Sequence, residues 1–190
     1  MSVEIVDFDA RPGEIDGLVI VTPKQVTDGR GTIRELFRRS AFEAAGVSLR
    51  PFEQINVTES GRGALRGMHA EAMTKLLTVA AGEALGAYVD LRTASATFGT
   101  VTTVSLRPGV QVLVPPGVAN GFQALTDRCA YVYCFDTEWQ PDMAGDSCSP
   151  LGLGVDWPIP VDVDDPNQIS TKDATAPTLD ELRRRQEGAT

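Results

Sequence analysis

The chain has 190 residues, 42% of them hydrophobic and 23% charged, with a formal net charge of −9. That size suits one domain with a proper core, and the acidic balance argues against nucleic-acid and anionic-membrane partners while leaving room for local cations in one cleft. No apolar run approaches the roughly 20 residues that span a bilayer, and the acidic start MSVEIVDFDARPGE lacks a signal peptide's basic and apolar regions. A cytoplasmic protein is expected, with Cys129, Cys134 and Cys148 as reduced thiols.

Short β-type runs recur about every 8–12 residues, the spacing of a sandwich or barrel. Residues 1–30 read as N-terminal strands forming an arm, with LVIVTPK (18–24) inside them. TIRELF (32–37) follows, then a short helix capped by Ser40 that runs through Ala45 and stops at Gly46. FEQINVT (52–58), GALRGMH (63–69), MTKLLTVAAG (73–82) and LGAYVDLR (85–92) come next. VTTVSLRP (101–108), VQVLVPPG (110–117) and CAYVYCF (129–135) complete the strands. WPIPVDVDDPN (157–167) reads as an ordered loop in a C-terminal arm, 157–190. The arm ends in a helix, TLDELRRRQE (178–187), capped by Thr178 with acids first and arginines later. The fold class is all-β with a short helix and a helical tail, and no composition shift marks a second domain within 1–190.

Side chains alternate between the faces of a strand. Gln54 and Asn56 therefore share a face with Phe52 and Thr58. Lys75 shares one with Leu77 and Val79, and Tyr133 shares one with Tyr131 and Phe135. A lysine and a tyrosine on apolar faces either snorkel at a rim or line a polar-bottomed cavity.

The chain has a single histidine, His69. One histidine cannot build the multi-histidine metal site common in such barrels, and no P-loop, dinucleotide fingerprint or nucleophile elbow is present. No metal and no cofactor is expected. One imidazole can still act as a general base near neutral pH, provided a carboxylate orients it and a neighbour stabilises the charge that develops on the substrate.

The residues around His69 resemble those of the dTDP-4-dehydrorhamnose 3,5-epimerases, cupin-fold enzymes of deoxysugar biosynthesis. The likeness is carried by DGRGTIRELF (28–37), FEQINVTES (52–60), GALRGMH (63–69), TKLLTVAAG (74–82) and YVDLRTASATFG (88–99), and then by VLVPPGVANGF (112–122), YCFDTEW (133–139), GVDWP (154–158) and ISTKDATAPTL (169–179). It implies a double-stranded β-helix jelly roll and an isomerase acting on a nucleotide-linked 4-keto-6-deoxy sugar. It places His69 as base, Asp173 as its partner, Lys75 beside the ketone oxygen and Tyr133 as the opposing proton donor. Arg66, Gln54 and Asn56 would hold the diphosphate and nucleoside, with Asn120, Trp139 and Lys172 also lining the site. Arg30 and Glu35 would arrive on a strand exchanged with a second subunit, which implies a homodimer.

The sequence also departs from that pattern. AEAMT (70–74) is a shortened link between His69 and Lys75, Asn120 stands where a second histidine is usual, Ile33 replaces a common phenylalanine and Lys172 a frequent arginine. A specialised member is expected. A ketoisomerase or cyclase on another ketone, or a silent sugar-nucleotide binder, are the alternatives. On a regular strand Arg66 and His69, three apart, would face opposite ways. Both must face one pocket, so a bulge near Gly67 or Met68 is predicted.

Overall fold

The computed structural model describes residues 2–187. Its front sheet is antiparallel, in the order β2 (Asp9–Pro12), β3 (Val19–Thr22), β11 (Gln111–Val114), β8 (Lys75–Ala81), β13 (Cys129–Phe135), β6 (Gln54–Ser60). Its back sheet runs β10 (Val101–Leu106), β9 (Ala84–Asp90), β12 (Val118–Ala124), β7 (Leu65–Glu71), β14 (Gly145–Ser147). A third, small sheet joins β1 (Glu4–Val6), β4 (Gln25–Asp28) and β5 (Gly31–Arg34). The helices are α1 (Arg39–Ala44), α2 (Thr171–Ala174) and α3 (Leu179–Glu187).

The front and back sheets close on one core, in the jelly-roll manner expected. Leu77, Val79, Val112 and Tyr131 come from the front, and Tyr88, Leu106, Val118 and Phe122 from the back. Phe122 and Tyr131 stack across the gap with ring centroids 3.9 Å apart. The outer faces are covered too. Phe42 of α1, with Phe8, Phe37 and Phe52, packs on Leu76, Leu113 and Val132 of the front sheet. Leu153 and Leu179, with Trp157 and Leu182, cover Met68, Ala70 and Val89 of the back sheet. Strands buried on both sides lose simple apolar–polar alternation. That explains why β12, with VANGFQA buried throughout, is missing from the strands read in the sequence. Its Ala, Asn and Gly residues carry little β-propensity, and its place between β7 and β9 decides its conformation.

The helix ends hold one correction. Ser40 lies within α1 rather than capping it; Arg38 is the N-cap, and its carbonyl accepts from the Ala41 amide at 3.0 Å. The Arg38–Glu35 ion pair and burial of Phe42 fix the helix start two residues earlier than a serine cap would. Gly46 ends it as predicted, with φ +78° and the Val47 amide returning to the Phe42 carbonyl at 2.9 Å. Thr178 caps α3 with a reciprocal bond to Glu181. The sequence reading also leaves α2 unassigned; it is a single turn capped by Ser170.

Candidate active site

An open pocket of about 450 Å³ lies between the inner face of β7, the strands β6 and β13, and the arm that leads into α2. A smaller cavity of about 80 Å³ extends it inward to Lys75 and Asn120.

The bulge predicted near Gly67 is present. His69 pairs with Asn120 and Arg66 with Phe122, so three steps along β7 oppose two along β12. The extra residue turns both Arg66 and His69 into the pocket, while Met68 and Ala70 face the outer core. Only glycine fits at the crossing. Gly67 has φ +113°, and a Cβ there would lie 2.6 Å from the Gly121 Cα.

His69 Nε2 lies 3.0 Å from Asp173 Oδ1. The other carboxylate oxygen of Asp173 accepts from the Gly67 amide at 3.3 Å. Ser170 orients the turn by accepting from the Asp173 amide at 3.1 Å. Burial pushes the Asp173 carboxyl up, but the neighbouring His69 ring and the Gly67 amide outweigh it and hold the group below the ordinary carboxylate value. Asp173 is therefore an anion throughout the neutral range, able to stabilise an imidazolium.

Lys75 is buried at the end of β8, with Nζ donating to Asn120 Oδ1 at 2.7 Å, to the His69 carbonyl at 3.1 Å and to the Glu71 carboxylate. Burial lowers its pKa, against the opposing pull of Glu71. Tyr133 faces the same cavity from β13, and burial drives its phenol pKa well upward, only partly offset by Arg66. It is a neutral phenol at physiological pH, fit to donate a proton.

Of the other predicted residues, Arg66 lines the pocket and donates to Ser60 Oγ at 3.1 Å. Asn56, Trp139 and Lys172 also line it, and Trp139 is 46% exposed at the rim. Gln54 sits one step outside, donating to Asn56 Oδ1 at 3.0 Å and accepting from the Trp139 amide at 2.8 Å. Arg30 and Glu35 do not reach the pocket within one subunit. Arg30 pairs with Asp28 at 2.6 Å and Glu35 pairs with Arg38. The sequence reading missed Glu71. Alternation from His69 would have found it, since positions two apart on a strand share a face.

An imidazole–carboxylate pair, a buried ammonium and a phenol line one jelly-roll site, groups of the kind that an isomerase uses to move protons at a carbon acid. The sequence profile described as dTDP-4-dehydrorhamnose 3,5-epimerase matches residues 12–181, and the chain belongs to that family. It is 36% identical to the dTDP-4-dehydrorhamnose 3,5-epimerase of Methanothermobacter thermautotrophicus over 157 residues, covering 80% of this chain and 84% of the relative. Among solved structures it is similar to NovW, a 4-keto-6-deoxy sugar epimerase from the novobiocin gene cluster of Streptomyces spheroides. The TM-score is 0.85 and the identity 28%, over 98% of this chain and 94% of that one. It is also similar to ChmJ, a 3'-monoepimerase from Streptomyces bikiniensis solved with dTDP-quinovose, with TM-score 0.81 and 32% identity over 92% and 89% of the two chains.

Proposed function

We propose that this chain epimerises a dTDP-linked 4-keto-6-deoxy sugar by moving a proton at a carbon beside the ketone. The reading rests on the 3.0 Å contact of His69 with Asp173 at the wall of a pocket that also holds Lys75 and Tyr133. His69 takes the hydrogen on the carbon next to the ketone, and the bonding pair of that C–H moves onto the ketone oxygen as an enolate. Asp173 stabilises the imidazolium that forms. Lys75 faces the oxygen. Tyr133 returns a proton to the opposite face of the carbon, which inverts it and restores the ketone.

Arg66 and Lys172 supply the positive charge that receives the diphosphate, and the arginine's planar fork suits phosphate oxygens. Asn56, with Gln54 and Trp139 at the rim, meets the nucleoside. Asn120 anchors the lysine rather than touching the sugar. Arg30 and Glu35 reach the site of a second subunit in a homodimer. Support comes from the exposed Arg30 side chain, 89% accessible, and from exposed Ile33 on β5 and Ile55 and Val57 on the edge strand β6. An edge strand with outward apolar residues is a natural docking line. The cytoplasm is the working compartment; the three buried cysteines are free thiols, which suits a reducing environment.

The test is hydrogen exchange. The protein is incubated with dTDP-4-keto-6-deoxyglucose in D₂O, and the protons at C3 and C5 of the sugar are followed by NMR. Loss of both signals marks a double epimerase and loss of one a mono-epimerase. His69→Ala lowers the exchange by about a thousandfold while dTDP still binds. Exchange that survives this substitution removes His69 from the mechanism.

A further inference from the structure

Lys75 poses an electrostatic problem that the reaction alone does not solve. Its side chain is 4% exposed, at the closed end of the smaller cavity. A buried ammonium without a counter-ion sheds its proton. Its three N–H groups meet three acceptors, and two of these, the Asn120 amide oxygen and the His69 carbonyl, are neutral. Only Glu71 brings a negative charge.

The other charged or titratable groups around this cavity do not replace it. Arg66 and His69 on β7 are a cation and a base, and Tyr133 on β13 is a neutral phenol. Asp173 on α2 is engaged by His69, and Asp136, beyond Phe135, is taken by Arg50 and the Thr74 amide. Among the described residues, Glu71 is the anion that both contacts the ammonium and borders the open pocket.

We propose that Glu71 is a positioning residue for the epimerisation, its carboxylate keeping Lys75 charged until negative charge reaches the substrate oxygen. The inference rests on the reading of Lys75 as the group that faces that oxygen. Glu71 forms no bond to substrate. Asn120 and the His69 carbonyl are held by paired strands, so the carboxylate, at the pocket edge, is the acceptor that turns aside. One anion then replaces another, and the charge on the lysine is conserved.

The experiment reads the proton on Lys75 without needing turnover. Protein labelled with ¹⁵N-lysine is titrated by NMR, with the Lys75 signal assigned by its loss in Lys75→Met. In Glu71→Gln the midpoint of Lys75 falls by about one pH unit or more, a roughly tenfold weaker hold on the proton. The alkaline limb of kcat/KM in the deuterium-exchange assay moves down with it, while KM near neutral pH stays within about twofold. If Glu71→Gln does not fold, Glu71→Asp, which retains the charge one methylene further back, gives a smaller displacement in the same direction.

A midpoint that stays in place overturns the proposal. So does a midpoint that moves while the alkaline limb does not, or a loss of kcat equal at every pH. Wild-type protein that exchanges no sugar hydrogen is a separate result. It removes the epimerase reading, and the titration still decides whether Glu71 holds the charge on Lys75.

Discussion

Two buried aspartates, Asp90 and Asp173, show how one residue type comes to serve structure in one place and chemistry in another. Asp90 ends β9 with no exposed side-chain surface. Its oxygens accept from Arg92 Nε and Nη2, the Arg92 amide, Ser95 Oγ and Thr97 Oγ1, between 2.6 and 3.0 Å. Every donor belongs to the turn that follows, and the network runs on only to the backbone of Asp16, away from the pocket. Asp173 has fewer protein donors, and one of its neighbours, His69, opens onto the pocket. A closed network fixes a loop, whereas an open one passes charge to a ligand.

Substitutions that break this comparison rank by size. Asp173→Asn should lower kcat by roughly 10²–10³, because the imidazolium loses its anion, with the melting temperature nearly unchanged. Turnover close to wild type would make Asp173 a tether from α2 to the Gly67 amide and nothing more. Asp90→Asn should do the reverse. It leaves Arg92 without its anion and costs about 3 kcal/mol of stability in thermal or urea unfolding, with kcat held within about threefold.

The same pair sharpens under acid. Burial raises the Asp90 carboxyl, but the bonds from Arg92, Ser95 and Thr97 win and hold it far below the ordinary value. A carboxylate depressed in the folded state contributes stability above its unfolded pKa of about 3.9, and loses it as pH falls toward the folded value. Wild-type protein should therefore lose melting temperature more steeply below about pH 5 than Asp90→Asn does. Parallel slopes would deny Asp90 this role. The smallest effect is expected at Arg66→Lys, which keeps the charge but loses the planar fork. KM for the nucleotide sugar should rise roughly fivefold with kcat retained.

How far the sequence foretold these features depends on how local their causes are. Strand β13 is read to its exact ends, because CAYVYCF places aromatics on one face and turn residues beyond. Gly67 betrays its bulge through a conflict between neighbours, two pocket residues set an odd number apart. β12 escaped because its conformation is imposed by flanking strands. Asp173 meets Gly67 across 106 residues, a distance over which no periodicity speaks, and only resemblance to a family pointed to it. Ser40 misled because a capping residue near a helix start is a local preference, and the packing of Phe42 outweighed it. Glu71 went unnoticed in a stretch judged by its length and not by its face.

The arm that carries Asp173 leaves the ribosome only after the barrel strands. The barrel strands, β13 included, are all made before it, and the arm then lays α2 against β7. A nascent or clipped chain that ends before the arm can hold an imidazole on its wall with no acid behind it. Such a chain also lacks Lys172 for the diphosphate and the cover that Trp157, Leu179 and Leu182 give the back sheet, so it loses binding and turnover together. Activity thus reports that synthesis reached the arm.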